Sequence, residues 1–179
     1  MRLLIRWVWR RIHAKPYPPR KLLRLLRWYP PFLFQRVIPL ALSDDFLTVH
    51  VKVRRSLLTR NLWGSFFGGT ILSAVDPWFG LLLWQKCFHE GIPLEVWVER
   101  MEIRFLRAGV QDLYFTCTIT PTQWEEIAHQ LRVEGKLRYT FSYQIYEKGG
   151  EMCAEGTQVL YLRNLARRPR QKPTPVLFS

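Results

Sequence analysis

Apolar and polar residues alternate along several short stretches of the chain, which is the pattern of strands with one buried face. Between positions 47 and 54, Leu47, Val49, Val51 and Val53 alternate with polar residues. We therefore predict a strand there, with His50 on its polar face. The same pattern predicts further strands at 33–42, 94–106, 112–120, 137–147 and 152–162.

Local signals refine this pattern at three places. The apolar positions of the stretch 94–106 change phase at Glu99 and Arg100, which predicts a β-bulge. Thr120 and Gln123 are spaced as a capping box, so a short helix is expected from position 121 to about Gly135. Pro30 and the proline after it are expected to end any helix in the basic stretch 20–29.

The segment 66–84 is apolar on all sides, and Asp76 is its only charge. A helix of that kind is buried in a protein core or in a membrane. A charge near the middle of a membrane span costs about 2.5–3.5 kcal/mol, and Pro77 follows directly, so we favour a helix surrounded by the sheet. Asp76 before Pro77 also suits the cap of a helix that restarts there, and this alternative stays open.

These elements predict an α+β protein: about six strands, mostly antiparallel, wrapped around one long apolar helix between the second and third strands. The chain of 179 residues suffices for one such domain. We assign residues 1–29 to a basic, helical N-terminal extension, 30–163 to the domain and 164–179 to a basic C-terminal tail.

The net charge of +13 is carried by the ends of the chain. Residues 1–60 hold 14 basic and 2 acidic residues, residues 61–162 hold 8 and 12, and residues 163–179 hold 5 and none. Because the central part is mildly acidic, a nucleic-acid partner is not expected.

The arginines of the first 12 residues interrupt any signal-peptide core. As a helix, this stretch separates basic and apolar faces, which suits peripheral contact of residues 1–19 with the inner face of an anionic membrane. A helix packed on its own domain is the alternative.

Cysteines and histidines give no sign of a disulfide framework or a metal site. The three cysteines, Cys87, Cys117 and Cys153, are odd in number and form no CxxC pair, which fits a reducing compartment. The four histidines are scattered. We expect a cytoplasmic protein without a metal or another cofactor.

One motif resembles a known family. The run from Asn61 to the glycine pair Gly68 and Gly69, followed by Asp76, resembles the N-x-x-G-x-x-H-G-G…L-x-x-x-D signature of phenylacetyl-CoA-type acyl-CoA thioesterases, which have the hotdog fold. With Asp76-Pro77 and the strand motif at 103–106, the chain is most similar to an uncharacterised bacterial branch of that superfamily. Phe67 stands where those thioesterases most often have histidine.

The resemblance implies roles for individual residues. Asp76 would be the base or nucleophile, Gly68 the oxyanion donor, and Asn61 would orient the carbonyl or the water. Substrate contacts are expected from residues of three kinds: the amide of Gly69, the cations Arg104 and Arg107 toward phosphates of coenzyme A or an acidic carrier protein, and the aromatic side chains Trp63 and Phe67. Close packing of the glycines and a turn role for Asn61 are the structural alternatives.

Helix geometry limits how these residues can combine. Asp76 lies eight residues after Gly68, or roughly 12 Å along a helix, so one substrate carbonyl cannot touch both. The resemblance implies a site shared between two subunits of a homodimer or a dimer of dimers. We therefore expect a thioesterase acting on acyl-CoA or an acyl carrier protein. The alternative is a non-catalytic hotdog protein that binds acyl thioesters or fatty acyl groups, with or without membrane association.

Overall fold

The structure, a computed structural model, describes residues 16–169. Six strands form one antiparallel sheet in the order β1-β2-β4-β5-β6-β3. The strands are β1 (Val37–Leu42), β2 (Thr48–Val53), β3 (Leu94–Phe105), β4 (Leu113–Thr118), β5 (Lys136–Glu147) and β6 (Met152–Asn164). The helices are α1 (Pro19–Arg27), α2 (Pro30–Phe34), α3 (Gly68–Val75), α4 (Trp78–His89) and α5 (Pro121–Val133).

The apolar side of the sheet curves around α3 and α4, as the sequence predicted. Trp78, Phe79, Leu82 and Leu83 are almost completely buried against it. The ring of Phe79 stacks on that of Phe141 in β5, with centroids 4.5 Å apart. An antiparallel sheet around an apolar helix is the predicted hotdog fold, and it explains why this helix is apolar on every side.

The long apolar helix is divided at Asp76 and Pro77, which agrees with the alternative of a helix that restarts there. Pro77 has no N–H to donate to the carbonyl of Ser73, so the backbone ladder cannot continue through it. A side chain bridges the break: the indole Nε1 of Trp78 donates to the Ala74 carbonyl at 2.7 Å. The carboxylate of Asp76 caps neither segment, since it has no hydrogen-bond partner within residues 16–169.

The prediction for the start of the first strand is wrong. Helix α1 ends at Arg27, before Pro30, as expected, but Pro30 then begins the short helix α2, because proline fits the first turn, where its missing N–H is not needed. The strand β1 therefore begins at Val37, four residues later than predicted. Helix α1 lies along this strand, and the Arg27 side chain donates to the carbonyls of Pro39 and Leu40 at 3.2 and 3.5 Å.

Several local predictions are confirmed. The register of β3 against β6 shifts between Val98 and Arg100, which is the expected bulge. Thr120 and Gln123 form the complete capping box at the start of α5. The strands β5 and β6 form the predicted hairpin, and His50 is on the exposed face of β2.

The outer edge of β3 has no neighbouring strand within residues 16–169. The apolar residues on the inner side of β3 are only half-buried, whereas those of β5 are buried. The half-buried set is Leu94, Val96, Val98, Met101 and Ile103.

Within residues 16–169, no helix combines the length and apolarity needed to cross a membrane. The predicted amphipathic helix at 1–12 and the last ten residues of the predicted tail lie outside the described residues. The proposed division of the chain at positions 29 and 163 stays a prediction.

Candidate active site along the open edge of the sheet

The two helix segments α3 and α4 run beside β3 in the opposite direction. A Cβ atom at Gly68 would lie 3.0 Å from the ring of Phe105, at the end of β3. A Cβ atom at Gly80 would lie 3.7 Å from Val96, near its beginning. The start of α3 and the helix break therefore both lie on the β3 side of the sheet.

The first turn of α3 presents two unused backbone donors. The N–H groups of Thr70 and Ile71 donate to the Phe67 carbonyl at 2.9 and 3.3 Å. Those of Gly68 and Gly69 have no hydrogen-bond partner within residues 16–169. Unused N–H groups at the positive end of a helix are suited to an oxyanion.

The glycine pair also has a packing role. A Cβ atom at Gly69 would approach the ring of Phe67 to 2.6 Å, and the one at Gly68 would press on Phe105. Phe67 itself is 55% exposed. The close-packing and oxyanion interpretations are compatible, because the same missing side chains leave the amides accessible.

Asp76 lies at the surface of the isolated chain, at the helix break. Partial desolvation by the surrounding protein raises the pKa of its carboxyl above the ordinary value of 3.8. Its backbone carbonyl accepts a hydrogen bond of 2.7 Å from Nε2 of Gln158 in β6. Gln158 is fully buried, and its Oε1 has no partner within the described chain. Gln158 thus ties the break to the strand next to β3.

Asn61 organises the loop that leads into α3. Its Nδ2 donates to Ser65 Oγ at 2.8 Å and to the Phe66 carbonyl at 3.3 Å, and its Oδ1 accepts from the N–H groups of Trp63 and Ser65. Both polar groups of the side chain are therefore engaged in a turn. In the isolated chain, Asn61 therefore affects the position of Gly68 and Gly69 by fixing the loop that precedes them.

Arg107 is held by acidic side chains close to this loop. It contacts the buried Glu147 at 3.0 Å and Glu151 at 3.7 Å. Glu147 also accepts hydrogen bonds from the N–H groups of Val110 and Gln111, the latter at 2.8 Å. The backbone after β3 is thereby fixed, and its Gly109 carbonyl accepts from Phe66 N–H at 2.8 Å.

The remaining predicted contacts are not gathered at one point. Arg104 points to the outer face of the sheet, where it pairs with Glu155 at 2.5 Å. It borders an open groove of about 1190 Å³ on the side of the sheet away from the helix. Trp63 is 88% exposed in the loop before α3. The structure thus brings the loop of Asn61 to the glycines, and leaves Arg104 on the other face.

Two contributors were missed by the sequence analysis, Gln158 and Glu147. Gln158 meets Asp76 across 82 residues of sequence, and no local pattern marks that contact. Glu147 is the last residue of β5 and occupies a buried position in the alternating pattern of that strand. At a strand end, the pattern alone does not mark a carboxylate as buried. No group of three or more His, Cys, Asp or Glu residues in positions 16–169 is arranged to hold a metal ion.

Comparisons with known proteins agree with this architecture. Residues 24–162 match the family described as a domain of unknown function, DUF4442. No curated protein matches the chain significantly. Among solved structures, the Pseudomonas aeruginosa protein PA5026, described as a protein of unknown function and probable thioesterase, is similar with a TM-score of 0.70. It is 21% identical, over 83% of this chain and 99% of that protein.

Two further structures have the same architecture. The thioesterase HI1161 of Haemophilus influenzae has a TM-score of 0.63 and 13% identity, over 87% of this chain and 97% of that one. The PaaI protein from the phenylacetic acid degradation operon of E. coli has a TM-score of 0.56 and 15% identity, over 78% and 88%. The chain belongs to the DUF4442 family, and its fold is the hotdog fold that these solved structures share.

Proposed function

We propose that this protein hydrolyses acyl thioesters at a site built by two copies of the chain. The proposal rests on polar groups without partners at both ends of one helix, α3. The Gly68 and Gly69 amides and the Asp76 carboxylate have no partners within the described residues, and all lie beside the open strand β3. Each end of the helix therefore offers half of a hydrolytic site.

Pairing of two β3 strands would join these halves. Gly68 lies at Phe105, and Gln158, which holds Asp76, is paired with Met101. In an antiparallel pair centred on Ile103, Phe105 of one copy lies opposite Met101 of the other. Gly68 of one copy would then lie beside Asp76 of the other copy. This register also buries the half-exposed apolar side of β3.

The thioester oxygen accepts hydrogen bonds from the Gly68 and Gly69 amides, which stabilise the negative charge that develops there. Asp76 of the second copy takes a proton from water, and the oxygen of that water adds to the carbonyl carbon. The C–S bond then breaks, and the sulfur leaves as a thiol once it receives the proton. The raised pKa of Asp76 makes it a stronger base than an ordinary aspartate.

We propose acyl-CoA, or an acyl group on carrier protein, as the substrate class. Trp63 and Phe67 are exposed next to the glycines and offer apolar contact to an acyl or pantetheine chain. Arg107 is partly exposed and can add a contact to phosphate, while Arg104 could reach phosphate only from the outer face. The three free, buried cysteines support a cytoplasmic location.

The central experiment measures thiol release from acyl-CoAs of graded chain length. We expect turnover by the wild-type protein and loss of turnover in Asp76→Asn and in Gly68→Val. Mixing and reassembling the two inactive variants should restore part of the activity, because mixed dimers contain one site with both intact halves. No recovery, with mixed dimers present, would exclude a shared site.

The second candidate is a binding protein without turnover, and Phe67 in the place of the histidine favours it. Its signature is tight acyl-CoA binding by calorimetry with no thiol release at any chain length. In that case, Asp76→Asn should leave the affinity nearly unchanged.

Cysteine cross-linking tests the proposed register separately. Ile103→Cys places two thiols directly opposite each other, within the range that a disulfide spans. The native cysteines are buried, and burial raises the pKa of Cys87 to about 12, so they should stay unreactive. Mild oxidation should yield a cross-linked dimer of Ile103→Cys and none of Leu40→Cys on β1. Cross-linking of neither variant would disprove this register.

A further inference from the structure

The outward side of α1 and α2 is both apolar and basic. Four large apolar side chains are exposed there, and their exposed fractions are 77% for Trp28, 72% for Phe34, 43% for Leu33 and 42% for Leu25. The inward side is fixed to the protein through Phe32, which is buried and stacks on the ring of Trp78. These exposed residues are therefore held in place by a packed helix pair.

The charge of this segment has one sign. Residues 16–36 contain five basic residues and no acidic one: Arg20, Lys21, Arg24, Arg27 and Arg36. The first acidic residue of the whole chain is Asp44. Arg20, Arg24 and Trp28 follow one another at four-residue spacing, so they share one stripe of the helix. Within residues 16–169, Arg20 and Arg24 have no ion-pair partner.

We propose that this basic aromatic surface, formed by residues 19–36, docks on an anionic lipid bilayer. Exposed Trp and Phe side chains enter the headgroup region, and the arginines beside them attract anionic lipids. An acidic protein would also meet the arginines. The bilayer accounts better for this surface, because large apolar side chains beside unpaired arginines on a helix face are the composition of interfacial membrane segments.

The location of this surface suits the proposal. Helix α1 lies against β1, and β1 and β3 are the two opposite edges of the sheet. Docking of α1 and α2 on a bilayer therefore leaves β3 free to pair with a second copy. The inference does not depend on thioester hydrolysis, because it uses none of the residues of the candidate site.

The test is co-sedimentation of the full-length protein with vesicles. One set contains phosphatidylcholine alone, and the other contains equal parts of phosphatidylcholine and phosphatidylglycerol. We expect binding to the anionic set and little to the neutral set. Each lost basic contact weakens partitioning several-fold, so the double variant Arg20→Gln/Arg24→Gln should bind roughly tenfold or more weakly. Trp28→Ser/Phe34→Ser should lose a similar factor.

Matched variants test whether the loss of charge or of an apolar side chain elsewhere on the protein also weakens vesicle binding. Lys136→Gln/Lys148→Gln removes two exposed charges elsewhere, and Val133→Ser removes an exposed apolar residue on α5. Both should bind like the wild type. With brominated lipids, Trp28→Phe should keep the affinity but lose part of the fluorescence quenching.

Two outcomes would overturn the proposal. One is unchanged vesicle binding by the Trp28/Phe34 and Arg20/Arg24 variants, which would assign any binding to other residues, such as 1–15. The other is absence of vesicle binding while the protein binds an acidic carrier protein through the same residues.

Discussion

The two edge strands of the sheet, β1 and β3, differ in how far the rest of the protein covers them. The strand β1 has six residues, and Arg27 of α1 donates to its carbonyl groups. The strand β3 has 12 residues, and among the described residues only β6 pairs with it. The inner side chains of β3 remain half-exposed on both sides of its bulge.

This contrast separates a closed side of the molecule from an open one. On the β1 side, the fold supplies its own cover. On the β3 side, the glycine amides, Asp76 and an apolar strand edge all lack partners within the described chain. Unpaired edges invite pairing with another chain, so the open side is the one at which we propose that a second copy pairs.

The largest effect is expected from a charge at the centre of the open edge. Ile103→Lys would place two lysines opposite each other in the proposed pair, and like charges directly opposite are destabilising. Light scattering should show a monomer, and turnover should fall by about 100-fold or more with the loss of the partner's catalytic groups.

The closed edge provides the matched control for that variant. Leu40→Lys introduces the same charge on β1, at a side chain that is already 41% exposed. It should leave both assembly and turnover unchanged. Equal disruption by the two lysines would erase the distinction between the edges.

The next test asks whether the open side serves catalysis as well as assembly. Asp76→Asn should lower turnover by about 100-fold while the dimer persists. In the wild type, activity should fall with acidification at a higher pH than an ordinary aspartate would give, because the pKa of Asp76 is raised.

Asp76→Asn is expected to lower turnover but to raise the free energy of unfolding slightly. The folded state holds the Asp76 proton to a higher pH than the unfolded state, so ionisation of Asp76 lowers the free energy of unfolding as the pH rises through this interval. At neutral pH, Asp76→Asn should therefore be slightly more stable, by less than about 1 kcal/mol. A clear loss of stability in thermal unfolding would show that the carboxylate is structural.

A smaller effect is expected from Gln158→Leu, which removes the support of the helix break. The Asp76 carbonyl loses its donor while a buried, unpartnered acceptor disappears, so stability should change by no more than about 1 kcal/mol. Turnover should fall about tenfold, because Asp76 is less well positioned. Gln85→Leu is the control, since Gln85 is also fully buried with one unpartnered amide atom. It should leave turnover unchanged.

The smallest effect concerns the closed edge itself. Arg27→Ala removes the hydrogen bonds to the Pro39 and Leu40 carbonyls and should cost about 1 kcal/mol of unfolding free energy. Arg24→Ala, one turn away and exposed, should cost less. Neither variant should alter assembly, and dimer loss in Arg27→Ala would show that β1 also takes part in pairing.

Features encoded over a few residues were predictable from the sequence. The capping box of Thr120 and Gln123 and the bulge after Val98 each depend on spacing within one element. Helix α2 was missed because proline can precede a strand or begin a helix, and packing of Phe32 decides between them.

The candidate site was predictable only in part, because it also depends on contacts between distant parts of the chain. The motif marked the Asn61 loop, the glycines and Asp76, and Asp76 before Pro77 left open a break of the helix there. That break depends on Pro77 together with the bonds from Trp78 and Gln158, and the last of these joins two distant parts of the chain.

The bulge in β3 has a consequence for the newly made chain, before it meets a second copy. A long, flat, apolar edge would be a template for open-ended aggregation. The bulge adds twist at Glu99, and the outer side of the strand carries charges of both signs, including Glu102 and Arg104. Such an edge discourages stacking into fibrils, so the strand can stay open without serving as a template for aggregation.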